Sequence, residues 1–578
     1  MTSTLTQALL ENAQTVPDRT AFILLTPGQP EERLTYQALI QGAAGYAHAL
    51  DQQGIQPGEV VVLVLQHGRD LILSFFGAIL HGAIPSIMPF LTEKLSPERY
   101  QEDMRALIQI TRPAAMVTYP EFLPVVNGAI HAGDSVRCVL ATGQSFTPVE
   151  TADLAGLHGL ERSAGDIVLL QHSSGTTGLQ KGVALSHMAV LNQLEAYASA
   201  IHLTLDDVIV SWLPLYHDMG LIAGLIMPAI RRVPLVLMSP FDWVRSPVKL
   251  LQAVSQYHGT LTWLPNFAFN FCSQKIRSRD LEGIDLSSWR AVINCSEPMR
   301  WESHQLFTQR FQPYGLRPEA LATCYAMAEN VFAVSQGGID SPPAVDEIDA
   351  RAFITQRLAV PLRDTRRGDP LRDTQRGNLL TGPGETIKML SAGRPVANTR
   401  VRVLNDHHQP LPDRQVGEIA LLSDCMLTGY YRRDDLTRKA FHDGWYLTGD
   451  LGYLLDGEVF VVGRKKDLII VGGKNIYPQD LELLANQVPD VHQGRVVAFG
   501  VFNPAIGTEE VVVVAETDLE GEEPRQRLAD EIRARVTRGS DVALRYVHVV
   551  GPKWIIKTSS GKIARLANRD KYLKERGG

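Results

Sequence analysis

The segment Ser173-Ser174-Gly175-Thr176-Thr177-Gly178-Leu179-Gln180-Lys181-Gly182 gathers hydroxyls, glycines and a lysine within one short stretch. Backbone N–H groups freed by glycine, hydroxyls and an ammonium are the donor types that wrap polyphosphate oxygens. The spacing differs from the GxxxxGK[ST] loop, because Gln180 precedes Lys181 and Gly182 follows it. A P-loop phosphoryl-transfer enzyme, which would release ADP, is therefore disfavoured. Close to the other end, Lys557-Thr558-Ser559-Ser560-Gly561-Lys562-Ile563 sets a second cation among small residues. A cation reaching the same phosphates from a second domain would give one nucleotide site built from two distant parts of the chain.

Further segments stand between these two. They are Ser211-Trp212-Leu213-Pro214-Leu215-Tyr216-His217-Asp218-Met219-Gly220, Cys295-Ser296-Glu297-Pro298, Tyr325-Ala326-Met327-Ala328-Glu329, Tyr446-Leu447-Thr448-Gly449-Asp450 and Gly463-Arg464-Lys465-Lys466-Asp467. In this order, along nearly the whole chain, the set resembles the acyl-adenylate-forming superfamily of acyl-CoA synthetases, fatty acyl-AMP ligases, nonribosomal adenylation domains and luciferases. The resemblance implies ATP-dependent activation of a carboxylic acid to an acyl-adenylate, with pyrophosphate as leaving group.

That chemistry brings two anions together, so positioned cations and hydrogen-bond donors must offset their repulsion. On the resemblance, Ser173 to Gly178 and Lys181 hold the triphosphate, with Thr176, Thr177 and Lys181 on its β- and γ-phosphates. Glu329, with Thr176, coordinates Mg²⁺. Asp450 accepts from the ribose hydroxyls, since a carboxylate offers two acceptor oxygens, and Arg464 adds donors there. Tyr325 offers an aromatic face to adenine beside Ser296, Glu297 and Pro298, and Ala326 and Met327 continue the nucleotide segment. His217 stands at the mouth of the acyl pocket. Lys562 stabilises the transition state between carboxylate and α-phosphate. Lys466 is the hinge about which the C-terminal domain swings, and Gly472 and Gly473 line the channel for a pantetheine thiol.

The acceptor is less legible. Pro265-Asn266-Phe267-Ala268-Phe269, Tyr477-Pro478-Gln479-Asp480 and an insertion before Gly393-Arg394-Pro395 resemble the fatty acyl-AMP ligases, which load an acyl carrier protein. Gly178, Lys181 and the Gly472-Gly473 pair look more like enzymes that load CoA. Carrier protein is the favoured expectation, with CoA, an amide- or ester-forming ligase and a catalytically silent nucleotide binder as alternatives. His172 stands in place of the family's Tyr, Ala326 in place of Gly and Ile556 in place of Pro; Ala326 adds a methyl beside the acyl and adenylate site. The acid and the oligomeric state are not encoded in any motif.

These residues need elements to hold them. A chain of 578 residues exceeds what one hydrophobic core supports, and 45% hydrophobic content supplies more than one. From about residue 35 to 335, helical stretches alternate with short apolar strands: Val60 to Leu65, Ala114 to Tyr119, Ile167 to Leu170, Val208 to Leu213, Leu235 to Met238 and Ala291 to Asn294. The pattern predicts an α/β fold of parallel sheets covered by helices, with ligands at strand ends. The phosphate loop, Ser296 and Tyr325 each follow a predicted strand. Residues 336–390, rich in Pro and Gly and carrying the tandem nonapeptide from Pro361 to Asn378, are expected to be an exposed, mobile insertion. Arg400 to Val403, Gly417 to Leu422 and Glu458 to Val462 predict a small β-rich, barrel-like subdomain. Strands Arg495 to Val501 and Val511 to Ala515 with helix Glu523 to Arg538 predict a small, mobile α+β C-terminal domain. The resulting division is 1–465 and 466–578.

Composition excludes other classes. The net charge of −7 carries no basic stripe, which argues against nucleic acid. Cys138, Cys272, Cys295, Cys324 and Cys425 lack zinc-ligand or disulfide spacing, consistent with a reducing cytoplasm. The apolar run Leu71 to Leu91 is broken by Gly82, Pro85 and Pro89, predicting helix, turn and buried strand rather than a membrane span.

Overall fold

A computed structural model describes residues 3–90, 97–143, 154, 156–173, 181–349, 352–353, 356–361, 386–471, 474–503, 508–540, 542, 544–558 and 563–576. The chain divides into two compact units. The first comprises Met1–Pro343, Gly393–Arg400 and Leu422–Gly444; the second comprises Ala344–Ala392, Val401–Leu421 and Trp445–Gly578.

The first unit holds a nine-stranded and a seven-stranded sheet with helices between their strands. Val60–Val64 is apolar at every position and wholly buried, as a central parallel strand must be when both faces are covered. It pairs in parallel with Ile84–Ile87 on one side and Ala115–Thr118 on the other. The apolar run from Leu71 folds as expected: helix Arg69–His81 stops at Gly82, whose φ of +86° suits glycine, and the buried strand Ile84–Ile87 follows. Among the described residues no helix is long and apolar enough to cross a membrane. In the larger sheet, Ile209–Ser211, Leu261–Leu264, Ala291–Cys295 and Leu321–Ala326 run parallel and deliver their C-terminal ends to one edge.

Two expectations change here. The strand before the phosphate-binding segment is not paired in parallel with the next; Ile167–Ser173 and Lys181–Ser186 pair antiparallel, and the residues between them lie outside the described ones. Tyr325 does not follow its strand but lies inside Leu321–Ala326, where a register irregularity between Tyr325 and Ala326 marks a bulge.

The second unit contains the antiparallel strands Gly417–Ser423, Trp445–Leu455 and Glu458–Arg464. The middle strand was not among those predicted: the motif Tyr446 to Asp450 lies in the first half of an eleven-residue strand. Tyr453 and Phe460 stack at 4.8 Å within the core of this part. The predicted insertion is not loop throughout, because Val345–Asp349 and Thr386–Leu390 pair as an antiparallel ladder. Its nonapeptide repeat beyond Pro361 lies outside the described residues.

In the same unit, Val496–Asn503 pairs antiparallel with Thr508–Glu516, which pairs in parallel with Tyr546–Val550. Alternation sorts the side chains onto two faces. Val496, Ala498, Val511 and Val513 pack with Leu528, Ile532 and Val536 of helix Glu522–Gly539. Val497, Phe499, Val512 and Val514 pack with Ile555 and Tyr572 on the opposite side. This is the α+β arrangement expected.

Candidate functional site

The hairpin register sets His172 opposite Gly182 and Ser173 opposite Lys181. Ser174, Gly175, Thr176, Thr177 and Gly178, with the side chain of Ser173, lie outside the described residues. The base of the hairpin is buried. His172 Nε2 is 2.6 Å from Ser86 Oγ, and burial pushes the imidazole down to about 4, so it is neutral near pH 7. His172 Nδ1 and both amide atoms of Gln171 have no hydrogen-bond partner among the described residues. These are polar groups at the root of a loop suited to polar ligands.

A second segment, which the sequence did not single out, is laced onto this hairpin. Strand Gly429–Tyr430 pairs with it, Gly429 opposite Ala184 and Tyr430 opposite Val183. The Tyr431 N–H donates to the Gly182 carbonyl at 2.7 Å and the Thr428 N–H to the Ala184 carbonyl at 2.9 Å. Tyr430 is buried; Lys181 Nζ lies 4.7 Å from its ring centroid, and its hydroxyl donates to Glu329 Oε1 at 2.9 Å. The Leu427 N–H reaches the Glu329 carbonyl at 2.8 Å. Lys181 and Glu329 are thus brought together through one tyrosine.

Glu329 sits in the short turn Ala328–Asn330, and the next residues are strained. Val331 has φ +61° and ψ −55°, and the Phe332 N–H donates to the Asn330 carbonyl at 2.6 Å across it. A β-branched residue in such a γ-turn is rare and costs roughly 1–3 kcal/mol, held only where surroundings impose it. Gln193 Oε1, which accepts from the Phe332 N–H at 3.1 Å, and Asn330 Nδ2, which donates to the Ala333 carbonyl at 2.9 Å, supply that support.

Ser296 follows strand Ala291–Cys295 and is also held left-handed, at φ +69°. Its hydroxyl faces Met219 Sδ at 3.9 Å. Glu297 Oε2 accepts from the Phe267 N–H at 3.0 Å, which joins the Ser296 segment to helix Asn266–Lys275. Tyr325 is buried and Ala326 partly exposed at the bulge. Met327 donates its N–H to the Phe332 carbonyl at 2.8 Å. Ser296 thus meets Met219, and Glu297 meets the start of helix Asn266–Lys275.

His217 packs against Tyr216 with ring centroids 4.7 Å apart, and Asp218 caps the element that follows. That element, Met219–Ile226, is a π-helix, a rare conformation concentrated at functional sites. Gly220 is required there, since a Cβ would stand 2.2 Å from the Pro214 carbonyl oxygen. Behind it Trp212 and Trp243 stack at 3.6 Å with planes 4° apart.

In the second unit, Asp450 is cross-strand partner to Arg464, with Arg464 Nε 3.5 Å from Asp450 Oδ1. Lys465 pairs with Glu418 at 2.9 Å, and Glu418 also accepts from the Gly449 N–H at 3.1 Å. Lys466 is exposed in the 3₁₀ turn Lys465–Asp467. Gly472 and Gly473 lie outside the described residues.

Lys562 also lies outside them, but the base of its segment is well defined. Lys557 and Ile563 form an antiparallel bridge, and the Ala564 N–H donates to the Ile556 carbonyl at 3.0 Å. Asn568, wholly buried, accepts from the Ile556 N–H at 2.8 Å and donates to the carbonyls of Ile556 and Ala564. A proline at 556 would lack that N–H, so Ile556 gives this chain a bond the family's usual residue cannot make. Arg565 then bonds Asp467 at 2.7 Å and both Glu482 oxygens at 2.8 and 2.9 Å. Burial alone would depress the guanidinium, but Glu482 and then Asp467 outweigh it and hold it raised. The described residues on either side of Lys562's segment are therefore held to each other and to Asn568.

Known proteins resemble this chain along nearly its whole length. The chain is 29% identical to the medium-chain-fatty-acid–[acyl-carrier-protein] ligase JamA of Moorena producens, over 99% of this chain and 95% of that protein. A solved structure from work on fatty acyl-adenylate ligases of E. coli and L. pneumophila superposes with a TM-score of 0.86 at 28% identity, covering 99% of this chain and 98% of the other. The L. pneumophila fatty acyl-adenylate ligase in complex with acyl adenylate and pyrophosphate matches at a TM-score of 0.71 and 27% identity, over 99% and 96% of the two chains. The model of the AMP-binding enzyme family matches residues 9–431, a span containing the hairpin, Glu329 and Tyr430, and the chain belongs to that family.

Proposed function

We propose that this enzyme activates a fatty acid with ATP, forming an acyl-adenylate and pyrophosphate, and passes the acyl group to the phosphopantetheine thiol of an acyl carrier protein. The observation that carries the reading is the convergence of Lys181, which closes the hydroxyl-rich segment in sequence, and Glu329 on Tyr430. A cation and a carboxylate at the edge of a loop rich in donors suit a triphosphate bound with a divalent cation.

In this reading Ser173, Ser174, Gly175, Thr176, Thr177, Gly178 and Lys181 bind the phosphates. Tyr325, Ala326, Met327, Ser296, Glu297 and Pro298 frame the adenine, and Asp450 with Arg464 takes the ribose. Glu329 and Thr176 would hold Mg²⁺, which supplies charge neutralisation on the phosphate oxygens. Lys562 donates to the carboxylate and α-phosphate as charge shifts to pyrophosphate, a role whose loss typically costs about 10²- to 10³-fold in rate. His217 guards the acyl entrance. The domains divide at 465/466, Lys466 acts as hinge, and Gly472 and Gly473 line the thiol's approach. Support comes from the similarity to carrier-protein and fatty acyl-adenylate ligases. Gly178, Lys181 and the Gly472-Gly473 pair favour CoA as a second acceptor reading.

The test is acid-dependent ATP–pyrophosphate exchange over a fatty-acid series, followed by transfer to a holo carrier protein or CoA. Lys562→Ala should lose exchange by at least about 100-fold while still binding a preformed acyl-adenylate. Exchange equal to wild type would remove Lys562 from the mechanism. Acylation of CoA in preference to the carrier protein would decide for the second acceptor.

A further inference from the structure

Tyr430 belongs to none of the motifs, lies 101 residues from Glu329, and yet touches both charged groups of the hairpin region. We infer that Tyr430 is a positioning residue that fixes Lys181 and Glu329 at the separation a triphosphate and its divalent cation require; the inference rests on the proposed adenylating reading.

The geometry gives the tyrosine two distinct functions. Its hydroxyl lies in the ring plane and donates to Oε1 of Glu329, which holds the carboxylate at the ring edge. Its π face sits under the Lys181 ammonium, an attraction that needs no counter-carboxylate. Edge and face are perpendicular, so cation and carboxylate are approached from different directions instead of being drawn along one line. The ring is a fixed post: Tyr430 is 5% exposed, its N–H donates to Thr437 Oγ1 at 2.9 Å, and its strand is bonded to the hairpin through Thr428 and Tyr431. Without it, nothing would stand between the opposite charges of Lys181 and Glu329, which both touch this ring, and each could serve as the other's counter-ion. An ion pair there would compete with both the phosphate and the metal.

The two functions are separable by substitution. Tyr430→Phe keeps the ring under Lys181 and removes the donor to Glu329; Tyr430→Leu removes both. Binding of α,β-methylene-ATP is measured by calorimetry on the full chain with and without Mg²⁺, alongside thermal unfolding. Tyr430→Phe is expected to weaken binding in Mg²⁺ roughly tenfold, the scale of a hydrogen bond to a charged group, and to change Mg²⁺-free binding little. Tyr430→Leu is expected to weaken both, with a further loss of roughly threefold from the cation–π contact. In exchange assays the Mg²⁺ and ATP requirements should rise while kcat changes less. Wild-type Mg²⁺ dependence in Tyr430→Phe would overturn the inference, as would a loss in Tyr430→Phe that is equal with and without Mg²⁺ and tracks a lowered melting temperature. Because the calorimetry needs no turnover, absence of acid-dependent exchange in the wild type would refute the functional reading without deciding this one.

Discussion

Replacing Arg565 by Met strips the guanidinium from a cluster in which Asp467 and Glu482 are 12% and 11% exposed and Arg565 itself 13%. Methionine fills much of the volume, so the loss is electrostatic rather than a cavity. Removing one partner of a buried ion pair costs about 3–5 kcal/mol, chiefly because the remaining charge is stranded. Here two carboxylates lose the same guanidinium, and the bond from Arg565 Nε to the Ala498 carbonyl at 3.1 Å goes as well. Helix Arg565–Glu575 and strand Val496–Asn503 should therefore open more often, and 3–5 kcal/mol corresponds to roughly 10²- to 10³-fold or more in amide exchange. Hydrogen–deuterium exchange on the full chain reads this region by region. Arg565→Met combined with Asp467→Asn and Glu482→Gln should recover at least half of the loss. Exchange within threefold of wild type in the single variant, or no recovery in the triple, would refute the argument. The functional consequence is local: Arg565 is three residues from Lys562 in the sequence.

Gly393→Ala should destabilise the first unit by roughly 3 kcal/mol, since φ is +87° and the new Cβ would stand 2.0 Å from the Gln336 carbonyl carbon; an unchanged urea midpoint would contradict this. Stability should also fall in mild acid. Burial depresses His172 to about 4 and His304 to about 3, below the unfolded value of roughly 6.5. The stability these neutral rings contribute is therefore full above about pH 6.5 and is lost as pH falls toward 4, roughly 2.5 kcal/mol each by pH 4.5. His304→Gln should shrink the difference between urea unfolding at pH 7.5 and 4.5 by that amount, and an identical difference in the variant would show that His304 does not contribute.

The apolar β-strands were readable because burial on both faces leaves few residue choices; Leu235–Met238 forms over the residues its composition indicated. The turn at Gly82 and the C-terminal α+β unit were readable for similar local reasons, through glycine's left-handed freedom and clean period-two alternation. What escaped was structure decided by partners distant in sequence. Trp445–Leu455 contains glycines and an Asp that suggest a loop, but pairing on both sides makes it a strand. Tyr430 sits in a two-residue strand with no periodicity to detect, and its role comes from segments around residues 181 and 329. The only cue was an aromatic beside a glycine at the end of the family-matched span. Asn568 and Arg565 likewise look like ordinary polar helix residues until the bonds to Ile556, Asp467 and Glu482 are seen.

The most direct test of the central claim is product analysis of the wild-type enzyme supplied with ATP, Mg²⁺ and a series of fatty acids. The account predicts AMP and pyrophosphate in amounts that depend on the acid, with an acyl-adenylate trapped when no thiol is present. Release of ADP and phosphate, or no acid-dependent cleavage of ATP across the series, would contradict it.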